Sequence, residues 1–299
     1  MFGIFGPLYK NRLFALSFDH KNAHKADNWG MKLKPGIATI ALRQYDIFQA
    51  IDLAAEAGFM GVEIWGRAPH TPDEFDEDHT LKIRDQLRMN KLEVSMIGSY
   101  VNPSSPDFEQ KSTDALKIAK ILNARIIRVW AGSQEPQNAD DAQWANVANS
   151  FHEYALRAED QGTTLAMEMH GGTLCLTPEG CLRVIEESKA PNLKLNYQVQ
   201  NAANPELERT IDMVGDFVVN VHAQNQRPSP IDPSKMELAL IEEGVIDYDK
   251  ALSLLKDHGF NGYVEVEFLK DDSGCENCLL DSLKKDAEYL RRITAKYSS

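Results

Sequence analysis

Cysteine is scarce in this chain: Cys175, Cys181, Cys275 and Cys278 are the four in 299 residues. A disulfide framework is therefore not what holds the fold. Cys275 and Cys278 have the spacing of half a zinc or redox site, but no second matching pair lies nearby. Two free thiols at a helix cap, in a reducing cytoplasm, are the expectation. No apolar run reaches the roughly 20 residues that a membrane span needs. Basic residues are outnumbered, 32 Lys and Arg against 45 Asp and Glu, for a net charge of −13. That balance disfavours nucleic acid or an anionic membrane as a partner. No Gly-rich dinucleotide fingerprint follows the first strand, and no Lys/Arg cluster marks a phosphate site. Phe2 to Phe18 leans apolar, but Lys10 and Arg12 interrupt it and no small-residue cleavage site closes it, which makes a poor secretory signal.

What is present is an ordinary globular composition, 43% hydrophobic and 26% charged. The length suits one α/β barrel of about 250 residues. Residues 1–30 read as a poorly packed N-terminal extension. Met31 to Ile37 reads as the natural start of a barrel domain spanning 31–299.

From there β-type runs alternate with helical ones. Strands are expected at 37–42, 62–65, 93–97, 125–130, 164–170, 193–198, 218–223 and 263–268. Helices are expected at 46–57, 78–89, 107–122, 141–160, 179–189, 205–216, 249–258 and 276–297. A polar, Pro-rich loop covers 224–235. Gly58-Phe59-Met60-Gly61 and Gly259-Phe260-Asn261-Gly262 are both helix-cap-to-strand connections. Eight strands, each followed by a helix, make a single-domain (β/α)₈ TIM barrel.

The chain is organised around Thr163 to Thr173. In the strand there, Ala166, Glu168 and His170 share one face, while Leu165, Met167 and Met169 share the other. Glu168 stands at the C-terminal end, where such barrels keep their chemistry. Gln198, His222 and Glu267 close three further strands in the same way. Two carboxylates, an imidazole and an amide oxygen suit one divalent ion, with Mn, Mg or Co ahead of Zn. Parity places Lys194, Asn196, Asn220 and Glu265 in a layer below, where Lys194 is expected to neutralise Glu265. Glu265 thus reads as structural and Glu267 as functional. Around the mouth, Glu63, Trp65, Asn102, Trp130, His170 and Arg227 are candidate substrate contacts, since aromatic walls with fixed polar groups suit a sugar or polyol.

Four segments carry a family resemblance: Glu-Met-His-Gly-Gly-Thr (Glu168 to Thr173), Val-His-Ala-Gln-Asn (Val221 to Asn225), Gly-Val-Ile-Asp-Tyr (Gly244 to Tyr248) and Gly-Tyr-Val-Glu-Val-Glu (Gly262 to Glu267). The chain resembles the xylose isomerase-like TIM-barrel superfamily, in its sugar phosphate isomerase/epimerase branch, over about residues 32–296. The resemblance implies metal ligation by Glu168, Gln198, His222 and Glu267. Gln198 departs from the Asp usual there, which removes one charge from the ligand set. It also implies proton transfer beside a carbonyl, with Glu168 and Glu267 as base and acid. An isomerase or epimerase acting on a small-molecule sugar is the leading expectation. A lyase or dehydratase on a keto-sugar, keto-glycoside or inosose comes next, and a non-catalytic sugar-binding homologue is the alternative of another class. Assembly into a homo-oligomer is compatible with all three.

Overall fold

The computed structural model describes residues 33–199, 204–270 and 278–298. The extension expected at 1–30 lies outside the described residues. Eight parallel strands close into a barrel: β1 (Lys34–Ala38), β2 (Gly61–Trp65), β3 (Glu93–Val101), β4 (Ile126–Val129), β5 (Thr164–Glu168), β6 (Leu193–Gln198), β7 (Val218–Ala223) and β10 (Tyr263–Val266). They follow one another around the ring, and β10 pairs with β1 to close it. The helices are α1 (Ile47–Ala57), α2 (Glu77–Asn90), α3 (Phe108–Leu122), α4 (Asp141–Glu159), α5 (Pro178–Ser188), α6 (Asn204–Val214), α7 (Tyr248–Asp257) and α8 (Cys278–Lys296). This is the (β/α)₈ architecture that the alternation of periods predicts.

Local chemistry sets the boundaries. Asp46 caps α1 by accepting from the Gln49 amide while Gln49 answers the Asp46 amide, and Asp140 and Gln143 repeat the device on α4. Each box satisfies two otherwise orphaned donors. Pro178 opens α5, where its missing N–H costs nothing. Gly58, at φ +90°, ends α1 in the left-handed conformation that only glycine adopts without penalty.

Outward-facing strand residues such as Val62, Ile64, Leu165, Met167, Val221 and Val264 are fully buried beneath the helices. At about 25 cal/mol per Å² of apolar surface, this shell is the main source of stability. The inward positions are then free to be polar. They include the buried residues Glu63, Ser95, Arg128, Glu168, Asn196, Gln198, Asn220, His222 and Glu265, with Glu267 just past β10.

Apart from strand ends, such as β3 running on to Val101, three segments differ from the sequence expectation. The first strand ends at Ala38, and Thr39–Leu42 turns into a 3₁₀ helix. The expected loop at 224–235 contains a strand, β8 (Asn225–Pro228), which pairs antiparallel with β9 (Met236–Ala239) just after it, in a sheet separate from the barrel. Its polar sequence lacks the apolar alternation that marks a half-buried strand. Cys275 lies outside the described residues, while Cys278 is disulfide-bonded rather than free. Among the described residues no helix is long and apolar enough to cross a membrane.

Candidate metal centre

Glu168, His222 and Glu267 converge at the C-terminal mouth, each with a ligand-type atom within 4.8 Å of the others'. Their placement follows from register. Glu168 ends β5, His222 lies opposite Gln198 across β6–β7, and the amide of Glu267 bonds the Ala223 carbonyl just past β10. All three side chains are buried.

The decisive atom is His222 Nδ1. It is buried, has no hydrogen-bond partner, and faces Glu168 Oε1 at 3.6 Å and Glu267 Oε1 at 3.5 Å. The other ring nitrogen is engaged: Nε2–H donates to Glu63 Oε2 at 2.5 Å. A lone pair aimed between two carboxylate oxygens is the donor set of a cation site, backed by a carboxylate on the far side of the ring. The electrostatics agree. Burial works against charge on the imidazole, but Glu63 and Glu267 outweigh it and push His222 well above its ordinary range. The surrounding carboxylates favour positive charge here, and a divalent ion at this position would supply it in place of a proton.

Glu168 has a second neighbour that the sequence reading missed. Arg128 on β4 is buried and donates from Nη1 to Glu168 Oε2 at 2.6 Å, while its other donors reach the Gly98 and Ser99 carbonyls. Burial alone would raise the Glu168 carboxyl. The Arg128 guanidinium, then His222, reverse this and hold it down at about 2. A lone arginine inside an otherwise apolar strand was the available signal. It sits on the same face as Trp130, and an interior charge requires an opposite one.

Gln198 also reaches the centre, where its Nε2 donates to Glu267 Oε2. One oxygen of Glu267 is thus held by a neutral amide, and the other faces His222. The layer below differs from expectation. Glu265 accepts from Ser95 Oγ and from Asn220 Nδ2 at 2.7 Å. Lys194 is not its partner. The lysine lies lower on β6, half-buried, with its Nζ 5.3 Å from the Phe217 ring centre. Burial, then the Glu63 charge, push the Glu265 carboxyl up to about 7.

The expected mouth residues separate into groups. His170 lines a cavity of about 460 Å³ with Gln198, Gln224, Gln226, Met236 and Ile246. Its Nδ1–H donates to the Gly171 carbonyl, and its ring packs edge-on against Trp130 at 4.9 Å. Trp130 stacks on Tyr100, and Trp65 Nε1 donates to the Tyr100 hydroxyl at 2.9 Å, so these aromatics form one wall. Glu63 points inward to His222. Asn102 spends its side chain on the loop, donating to the Gly132 carbonyl and Ser133 hydroxyl and accepting from the Ser104 amide. Arg227 lies on β8, ion-paired with Glu237 at 3.2 Å and Glu243 at 2.9 Å.

Known proteins share this frame. The curated 3-dehydroshikimate dehydratase of Bacillus anthracis is 22% identical over 249 residues, covering 75% of this chain and 88% of its own. A xylose isomerase-like TIM-barrel protein from Mycobacterium smegmatis, in complex with magnesium, superposes with a TM-score of 0.70 at 16% identity, over 89% of this chain and 98% of that one. A D-allulose 3-epimerase from Methylomonas sp., in complex with D-allulose, gives a TM-score of 0.66 at 18% identity, over 88% and 97%. The family model of the xylose isomerase-like TIM barrel matches residues 51–293. On that match, carried across most of the barrel, the chain belongs to the xylose isomerase-like TIM-barrel family.

Proposed function

We propose that this protein is a divalent-metal-dependent isomerase or epimerase that moves a proton at the carbon beside a carbonyl in an uncharged sugar or polyol-like molecule. The observation that carries the proposal is the unpartnered His222 Nδ1 facing Glu168 and Glu267. Glu168, His222 and Glu267 would hold the ion, with the Gln198 amide oxygen as a neutral fourth ligand. When bound, the ion supplies Lewis-acid polarisation of substrate oxygens.

The two glutamates share the work unequally. Arg128 keeps Glu168 ionised, which suits a fixed anion and poorly suits a group that must accept a proton and release it. Glu267 meets only the neutral Gln198 amide on its second oxygen, so it is the better proton carrier. His170 and the glutamines of the cavity would orient hydroxyl groups, and the Trp65–Tyr100–Trp130 wall would flank the ring. The described cavity lining contains no Lys or Arg and Arg227 is already paired, which favours a neutral substrate over a phosphorylated one, with Arg67 on the Tyr100 ring the cation nearest the aromatic wall.

A second reading, a dehydratase or other lyase, draws on the similarity to the 3-dehydroshikimate dehydratase. It uses the same proton abstraction, followed by loss of a neighbouring hydroxyl. One experiment separates the two. Keto-sugars are screened by NMR in D₂O with the metal-loaded protein. Deuterium entering a re-formed sugar at the carbon next to the carbonyl supports the epimerase reading, and an unsaturated product that has lost water, with a primary isotope effect at that carbon, supports the lyase. Turnover with neither label nor a primary isotope effect at that carbon would overturn proton abstraction.

A further inference from the structure

We infer that Glu63 is a positioning residue of the metal centre, with Gly98 shaped to hold it. The inference rests on the metal-centre reading above and extends it to two residues that would not touch the ion. Glu63 lies on β2 and, with His222 and Glu265, makes a second group of ligand-type atoms within 4.8 Å of one another, but it meets Nε2, the ring nitrogen opposite the one that faces Glu168 and Glu267. Its Oε2 accepts the His222 Nε2–H at 2.5 Å, and both side chains are buried. A neutral imidazole carries one proton, so an acceptor fixed at Nε2 leaves the lone pair on Nδ1. Nδ1 is the nitrogen that faces Glu168 and Glu267.

Glu63 is itself located by the absence of a side chain. A Cβ built on Gly98 of β3 would lie 2.0 Å from Glu63 Oε1 and 3.0 Å from its Cδ. Gly98 carries no positive φ. What glycine provides here is room, a notch in the barrel wall that receives the carboxylate. Arg128 donates from Nη2 to the Gly98 carbonyl, which ties the notch to the guanidinium that holds Glu168. Ligand and support thus meet through one backbone position.

The test uses the full-length protein stripped of metal, with Zn²⁺ alone as the probe and competition against a chromophoric chelator as the readout. Glu63→Ala is expected to weaken Zn²⁺ binding about 10- to 100-fold. Gly98→Ala should weaken it in the same direction. The double variant should be no weaker than Glu63→Ala alone, because the added methyl then fills the space left by the carboxylate. Glu63→Gln keeps an oxygen that can accept the Nε2 proton and should recover most of the loss. In ¹⁵N NMR of the zinc-loaded wild type, His222 should show a protonated Nε2 and a metal-bound Nδ1. Zinc on Nε2 in the wild type would overturn the inference by itself, whether or not the variants fold. Folded Glu63→Ala and Gly98→Ala proteins that bind zinc as tightly as the wild type would also overturn it, as would strict additivity in the double variant. Full zinc binding in His222→Ala is a different result, since it removes the metal centre and not only its support.

Discussion

Glu265 and Glu267 stand two residues apart, and both are buried in the same barrel. Each oxygen of Glu265 is answered by a neutral donor, one from Ser95 and one from Asn220. Its own carboxyl is fully answered and is pushed towards its neutral form, while Asn196 Nδ2 and Asn220 Oδ1 in the same tier bond nothing. Glu267 has one oxygen on the Gln198 amide and the other 3.5 Å from an imidazole nitrogen that bonds nothing. Burial and residue type do not separate these glutamates. The atom that faces each carboxylate does: Glu265 meets only amide and hydroxyl donors, whereas Glu267 faces an open imidazole nitrogen shared with a second carboxylate.

The comparison can be broken most severely by exchanging function for shape. Glu267→Gln should lower the rate of carbon-bound deuterium exchange about 10²- to 10⁴-fold, the range that a general base supplies. Glu265→Gln should leave that rate within a few-fold. Equal losses in the two variants would abolish the distinction between the tiers.

The centre itself is the next target. His222→Ala should lose most of the bound divalent ion, read by metal analysis of the purified protein. Full metal content in that variant would remove the imidazole from the ligand set.

Stability should report the lower tier. Burial raises the Glu265 carboxyl from 4.5 to about 7. The folded state therefore binds a proton that the unfolded chain has already released between those values. The stability so gained is fully present below pH 4.5 and is lost as pH rises through about 7, a swing of order 3 kcal/mol. Denaturant titrations of metal-free wild type and Glu265→Gln should diverge over that window, with the wild type losing ground as pH rises. Parallel curves would mean that Glu265 folds in its ionised form.

The smallest effect is expected at Gln198. Aspartate there would bring a second carboxylate against Glu267 without the amide donor. Metal-free Gln198→Asp should therefore be less stable by about 1–3 kcal/mol, the cost of an unsatisfied buried group. It should also bind Mn²⁺ more tightly, by roughly tenfold, from the added charge. Unchanged affinity would place Gln198 outside the ligand set and leave it as a donor to Glu267.

Much of this was legible in sequence because a barrel repeats one physical rule. Alternation of strand and helix periods gave eight units, and parity placed Glu168, Gln198, His222 and Glu267 on inward-facing strand ends. Parity gives the face of a residue but not its neighbour across the barrel. Parity offers Lys194 as the cation for Glu265, whereas shear brings Ser95 and Asn220 there instead. Glu63 was placed at the mouth by its position near a strand end, and only the ring geometry shows it reaching His222. Arg128 was visible as a charge in an apolar strand, but its partner lies 40 residues away, beyond any local pattern. The β8–β9 pair escaped because hydrogen bonding, rather than a buried apolar face, defines it.

The order of the ring has a consequence for how the site could be taken apart. Glu168, Gln198, His222 and Glu267 all belong to the second half of the barrel, while Glu63, Ser95, Gly98 and Arg128 belong to the first. A cut between Val129 and Thr164 would put every candidate ligand on one fragment and Glu63, Gly98 and Arg128 on the other. Neither fragment could then assemble the centre as described, and capture of an ion would become a signal that two separately made pieces have found each other.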